Sequence, residues 1–134
     1  MMEPWEQIAA KLGFPLVVLP DAASVSAETA IRFLVSCLVA DGLLDIEAAD
    51  EVVRNLLARE RLGATALGRG IALPHAKSSG LRQVIGILAH APDPVPWDGS
   101  GPGSVRIICL VLSPADRPGD SLRALERVSR AMRA

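Results

Sequence analysis

Histidine occurs twice in this chain, at His75 and His90, and the first sits in a setting suited to anions. It follows a proline in the stretch Gly68-Arg69-Gly70-Ile71-Ala72-Leu73-Pro74-His75-Ala76-Lys77. An imidazole titrates near neutral pH when unperturbed, so it can serve as acid, base, ligand or nucleophile. Arg59, Arg61, Arg69, Lys77 and Arg82 surround His75 in sequence, and Glu60 is the only acid between residues 59 and 82. A neutral ring nitrogen has a lone pair that can attack phosphorus, and a nearby arginine can neutralise the equatorial oxygens through charge-assisted hydrogen bonds. Pro74 fixes its own φ and holds Leu73 extended, which would aim the ring outward. On these grounds alone, a solvated basic loop with an idle histidine fits the residues about as well.

Other chemistries lack their motifs. The chain has no Cys-x-x-Cys pair, no His-Glu-x-x-His, no phosphate-binding Gly-x-x-x-x-Gly-Lys-Ser/Thr loop and no Gly-x-Ser-x-Gly elbow, and its glycines miss the dinucleotide spacing. No metal or cofactor is therefore expected. Cys37 and Cys109 lie in apolar runs and read as small buried hydrophobes of a protein in the reducing cytoplasm. His90, without cationic neighbours, reads as a strand-end histidine, and Trp97 as a plug packed down from its Pro/Gly loop.

The elements that must position His75 follow from the pattern. At 134 residues, 50% hydrophobic and 3% aromatic, the chain fits one domain with an aliphatic core. Residues 4–12 and 26–40 carry apolar residues at helical spacing, closed by Gly13 and followed by Gly42, with Ser24 or Ser26 as N-cap of the second. A third helix is predicted from Asp45 or Ile46 to Arg61, with Val52, Val53, Leu56 and Leu57 inward; its last-turn arginines suit the negative end of the helix dipole. Strands are predicted at 14–19, 84–89 and 105–112, the last buried on both faces, with a short strand or bent loop at 64–74. Residues 92–103 read as a stiff Pro/Gly loop, and a final helix from Ser121 should bury Leu122, Leu125, Val128 and Met132. The fold class is α/β: a sandwich with a central mixed sheet flanked by helices.

A formal charge of −1 leaves no global field favouring nucleic acid or an anionic membrane surface. The first residues lack the pattern of a signal peptide, and no apolar run approaches the roughly 18 residues that span a bilayer.

The stretch from Arg59-Glu60 through Gly63-Ala64-Thr65 to Gly68-Arg69-Gly70-Ile71-Ala72-Leu73-Pro74-His75 resembles the phosphohistidine signature of enzyme IIA domains of the bacterial phosphotransferase system. The likeness is to the fructose/mannitol class, which includes the nitrogen-related regulatory IIA proteins, and it covers residues 15 to about 130. It implies that His75 accepts phosphate from the phosphocarrier HPr or its nitrogen-branch counterpart. The phosphate then passes to a IIB domain or is held as a regulatory signal. The resemblance makes Arg59 the arginine beside the acceptor and Thr65 a support of the phosphate site. Ser121 stands where family members commonly have a second histidine, so one hydroxyl replaces a potential imidazolium. Family members also continue for another helix beyond the position of Ala134, and a surface left bare there is a candidate for a partner or a homodimer. A IIA domain meets its protein partners and not the carbohydrate, so no sugar is legible.

Overall fold

The structure is a computed structural model that describes residues 2–98 and 104–133. The first helix, α1 (Pro4–Leu12), opens on a proline whose missing N–H is no loss in a first turn. It closes at Gly13, which has φ 70°. Strand β1 (Leu16–Val18) follows. Helix α2 (Ala27–Ala40) is capped by Ser26: its hydroxyl accepts the Thr29 N–H at 3.1 Å, while the Thr29 hydroxyl accepts the Ser26 N–H at 3.0 Å. The predicted third helix begins later than its periodicity suggests. A 3₁₀ turn at Ile46–Ala48 comes first, and α3 then runs Ala49–Leu62.

A hairpin of two short strands, β2 (Ala66–Gly68) and β3 (Ile71–Ala72), turns through Gly68, Arg69 and Gly70, all at positive φ. After Leu73-Pro74 the chain continues as β4 (His75–Ser78), then β5 (Ile85–Val95), β6 (Val105–Pro114) and α4 (Pro118–Arg133). The sheet order is β1-β5-β6-β3-β2, with β4 also paired to β6. β6 runs antiparallel to β5 and parallel to both β3 and β4, so the sheet is mixed and β6 is its spine.

Alternation along β5 and β6 builds two cores. Ile85, Ile87, Ala89, Ile108, Leu110 and Leu112 pack with α2 and α3, whereas Leu88, Cys109 and Val111 pack with α1 and α4. Gly86 faces Phe14 so closely that a Cβ there would lie 2.4 Å from a ring carbon. Burial pushes the Cys109 thiol up to about 12. Cys37 is half-buried and its thiol is also raised, by burial and then by the Asp41 carboxylate.

Three expectations need correction. First, β5 reaches Val95, past Pro92 and Pro94, because the prolines fall where its register against β6 shifts between His90 and Val95 and no ladder N–H is demanded of them. His90 therefore lies within the strand, opposite Ile107, with its ring stacked on Trp5 at a centroid distance of 3.8 Å. Second, α4 starts at Pro118 rather than Ser121. Third, its buried stripe runs through Ser121, Val128 and Met132, leaving Leu122, one position further round, 70% exposed. Residues 99–103 of the predicted Pro/Gly loop lie outside the described residues, while Trp97 packs down into the α2/α3 core as expected.

Candidate functional site

His75 opens β4 immediately after Pro74, and the junction is held from several sides. The Val111 N–H donates to the Pro74 carbonyl at 3.0 Å, which locks the strand start to the sheet's spine. Leu73 is buried in the α1/α4 core, and its N–H donates to the Thr65 carbonyl at 3.0 Å. The Leu73 carbonyl lies 2.8 Å from His75 Nδ1. A carbonyl can only accept, so Nδ1 carries the hydrogen in this bond and, in the neutral ring, the lone pair resides on Nε2. No protein group among the described residues hydrogen-bonds Nε2.

The half-buried His75 lines a cleft of about 600 Å³ between α3, β4 and the first turns of α4. Arg59 comes from α3, Lys77 from β4, and Ser121 and Leu122 from α4. Residues two apart on a strand share a face, which brings Lys77 to the same cleft as His75. Arg59 donates through Nη1 to the Gly63 carbonyl at 2.8 Å, which partly satisfies the end of α3. It forms no ion pair with an acid among the described residues, and neither does Lys77. None of the cleft's lining residues is acidic. The N-terminal turn of α4 also borders the cleft through Pro118 and Ser121, with its Asp120 and Ser121 N–H groups already bonded to the Arg117 carbonyl. The cleft therefore offers a nucleophilic nitrogen, two cations without an acid partner among the described residues and a hydroxyl, a combination that fits transfer of a phosphoryl group.

Of the five basic residues around His75 in sequence, the fold brings Arg59 and Lys77 to the cleft. Arg61 and Arg69 are exposed elsewhere, and Arg82 lines a separate hollow with Gly42 and Gly80. Ser121 reaches the cleft although only 8% of its surface is exposed. Thr65 is not part of the lining. It is 5% exposed, and its hydroxyl and N–H both donate to the Glu60 carboxylate, the N–H at 3.1 Å. Trp97 Nε1 donates to the same carboxylate at 3.2 Å. Glu60 is the residue to which the sequence reading gave no role, although it is the sole acid in a basic stretch and stands in the Arg59-Glu60 pair of the signature. Among the described residues no cluster of histidine, cysteine or carboxylate side chains could hold a metal ion. No helix of the described chain is long and apolar enough to cross a membrane.

Residues 15–133 match the model of the family described as phosphoenolpyruvate-dependent sugar phosphotransferase system, EIIA 2. The chain belongs to that family. This IIA domain is 37% identical over 78 residues to a nitrogen regulatory protein of Bradyrhizobium diazoefficiens, covering 58% of this chain and 51% of that protein. It is also 33% identical over 100 residues to the 2-O-alpha-mannosyl-D-glycerate-specific EIIABC component of Escherichia coli, covering 74% of this chain and 15% of the larger protein. The match thus spans about half or less of these relatives' length. Among solved structures, the IIA-Ntr protein of Neisseria meningitidis superposes with a TM-score of 0.71 at 27% identity, covering 87% of this chain and 75% of that one. The mixed sheet flanked by four helices is thus the fold of the IIA family.

Proposed function

We propose that this IIA domain, residues 1–134 acting as one unit in the cytoplasm, accepts a phosphoryl group on Nε2 of His75 from HPr or its nitrogen-branch counterpart. The observation carrying this reading is the bond from Nδ1–H to the Leu73 carbonyl, which leaves the Nε2 lone pair without a protein partner among the described residues, in a cleft free of acids. The Nε2 lone pair forms the new N–P bond as the donor's N–P bond breaks, and the electron pair of that bond returns to the donor imidazole. Arg59 and Lys77 neutralise the equatorial oxygens, and the Ser121 hydroxyl donates a hydrogen bond to one of them. With the second imidazole of the family replaced by Ser121, Lys77 becomes the other source of positive charge. No metal is required, because positioning and fixed charge supply the catalysis.

A second reading concerns the fate of the phosphoryl group once it is on His75. Relatives named nitrogen regulatory proteins recur among the matches, including one of Pseudomonas aeruginosa at 34% identity over 92 residues. They favour a regulatory output, in which the phosphorylation state of His75 controls a partner protein. The EIIABC relative favours delivery to a IIB domain during sugar uptake. Incubation with phosphoenolpyruvate, enzyme I and HPr, or with the nitrogen-branch proteins, is expected to give an acid-labile, base-stable label. Failure of both donor sets to label the wild type, or label surviving in His75→Ala, overturns the acceptor role. Transfer onward to a IIB domain selects uptake, and stable retention with phosphorylation-dependent partner binding selects regulation.

A further inference from the structure

Glu60 stands apart from the cleft, yet the hydrogen bonds that begin on it end at the imidazole. Its carboxylate takes the Thr65 hydroxyl, the Thr65 N–H at 3.1 Å and the Trp97 indole N–H at 3.2 Å. The Thr65 carbonyl accepts the Leu73 N–H at 3.0 Å, and the Leu73 carbonyl accepts His75 Nδ1–H at 2.8 Å. Thr65 and Trp97 are 5% exposed and Leu73 is 4% exposed, so most of this path is shielded from competing water. It ties three distant segments together: the end of α3, the start of the hairpin leading to His75, and the chain just after β5. The neighbouring Arg59 is bound to the Gly63 carbonyl inside the loop that Glu60 closes, so the His75 ring and the Arg59 guanidinium hang from one staple, while Lys77 and Ser121 reach the cleft from β4 and α4.

We propose that Glu60 is a positioning residue for phosphoryl transfer. Its carboxylate, clamped by Thr65 and Trp97, holds Leu73 where its carbonyl selects the His75 tautomer with a lone pair on Nε2. The clamp does not need the negative charge at the reacting atoms. A glutamine can keep all three contacts by placing its amide oxygen where Thr65 N–H and Trp97 Nε1 donate and turning its NH₂ toward the Thr65 hydroxyl oxygen, which can also accept. Alanine loses all three contacts. Glu60→Gln and Glu60→Ala therefore separate positioning from direct electrostatic participation.

The positioning role rests on the acceptor reading of His75, but its first measurement does not depend on that reading. ¹⁵N-labelled histidine in the unphosphorylated protein reports the His75 tautomer directly. Wild type and Glu60→Gln are expected to show Nδ1–H, and Glu60→Ala to show a mixture of tautomers. Misplacing the ring should also slow phosphorylation by roughly tenfold to a hundredfold in Glu60→Ala, with Glu60→Gln within about threefold of wild type. If Glu60→Ala fails to fold, Thr65→Val removes one donor while preserving shape and Trp97→Phe removes another while keeping an aromatic ring in the core, and each should show a smaller shift in the same direction. An unchanged tautomer and rate in folded Glu60→Ala, or in both of the milder variants, overturns the positioning role. Loss of rate in Glu60→Gln with the tautomer retained also overturns it, since the charge would then act directly. A wild-type domain that shows the predicted tautomer pattern but accepts no phosphate would refute the acceptor reading alone.

Discussion

Replacing Arg59 with methionine should leave the fold nearly intact while crippling phosphoryl transfer. In the resting protein the guanidinium donates from Nη1 to the Gly63 carbonyl at 2.8 Å, a bond made at an exposed helix end. Losing one such bond costs about 0.5–1 kcal/mol. For a domain of 134 residues that corresponds to a fall in Tm of roughly 4 °C or less. Methionine keeps an apolar stem against the cleft wall, so the packing loss is small. The transition state is affected very differently. Arg59 has no acid partner among the described residues, so in the proposed transfer its other N–H groups would meet the phosphoryl oxygens without first breaking an ion pair. Removing one such donor from a preorganised anion site costs about 10²–10³ in rate, or roughly 3–4 kcal/mol. Rapid-quench phosphorylation by a labelled carrier protein, alongside urea unfolding, measures both quantities. A rate within about threefold of wild type would refute the placement of Arg59 on the transferring group, taking the 10²–10³ loss as the expectation. A stability loss above about 3 kcal/mol would show instead that Arg59 is mainly structural.

Other outcomes follow from the same geometry. Lys77→Met should slow phosphorylation by about fivefold, less than Arg59→Met because the ammonium is exposed and well hydrated, with Lys77→Arg recovering most of the rate at low salt. Gly86→Ala forces a methyl to within 2.4 Å of the Phe14 ring and should destabilise the domain by about 1–3 kcal/mol in urea, with labelling of His75 preserved in the folded fraction. The Cys109 thiol, raised from 9.0 to about 12 by burial, keeps its proton in the folded state after the unfolded chain has ionised. Its stabilising contribution is whole below pH 9.0 and is lost on the way to about 12, at about 1.4 kcal/mol per pH unit. Alkaline unfolding of Cys109→Ala should therefore show a shallower decline over that window than wild type.

Much of this fold was legible because local rules and tertiary packing agree. Ser26 caps α2, Gly13 ends α1, and the Val/Ile/Leu run of β6 lies at the sheet's centre, all as the local pattern demands. His75 and Arg59 could be paired from the motif although they lie on different elements, and the cleft contains both. What stayed hidden depends on long-range contact. The partners of Glu60 lie five and thirty-seven positions away, so no window on α3 reveals that its carboxylate is a clamp. Leu122 reads as core by its apolar character, but the phase of α4 is set by Ser121, Val128 and Met132, which turns Leu122 onto the cleft rim. His90 looked terminal because prolines follow it, and only the register shift against β6 shows how the strand continues past them.

The most direct measurement locates the phosphorus atom. The domain, ¹⁵N-labelled in histidine, is phosphorylated from phosphoenolpyruvate through enzyme I and a carrier protein, and the phosphorus–nitrogen coupling is read by NMR. One phosphohistidine is expected, at His75, with phosphorus bonded to Nε2 while Nδ1 keeps its hydrogen toward the Leu73 carbonyl. Phosphorus on Nδ1, label on His90, or no label with either donor set would contradict the account.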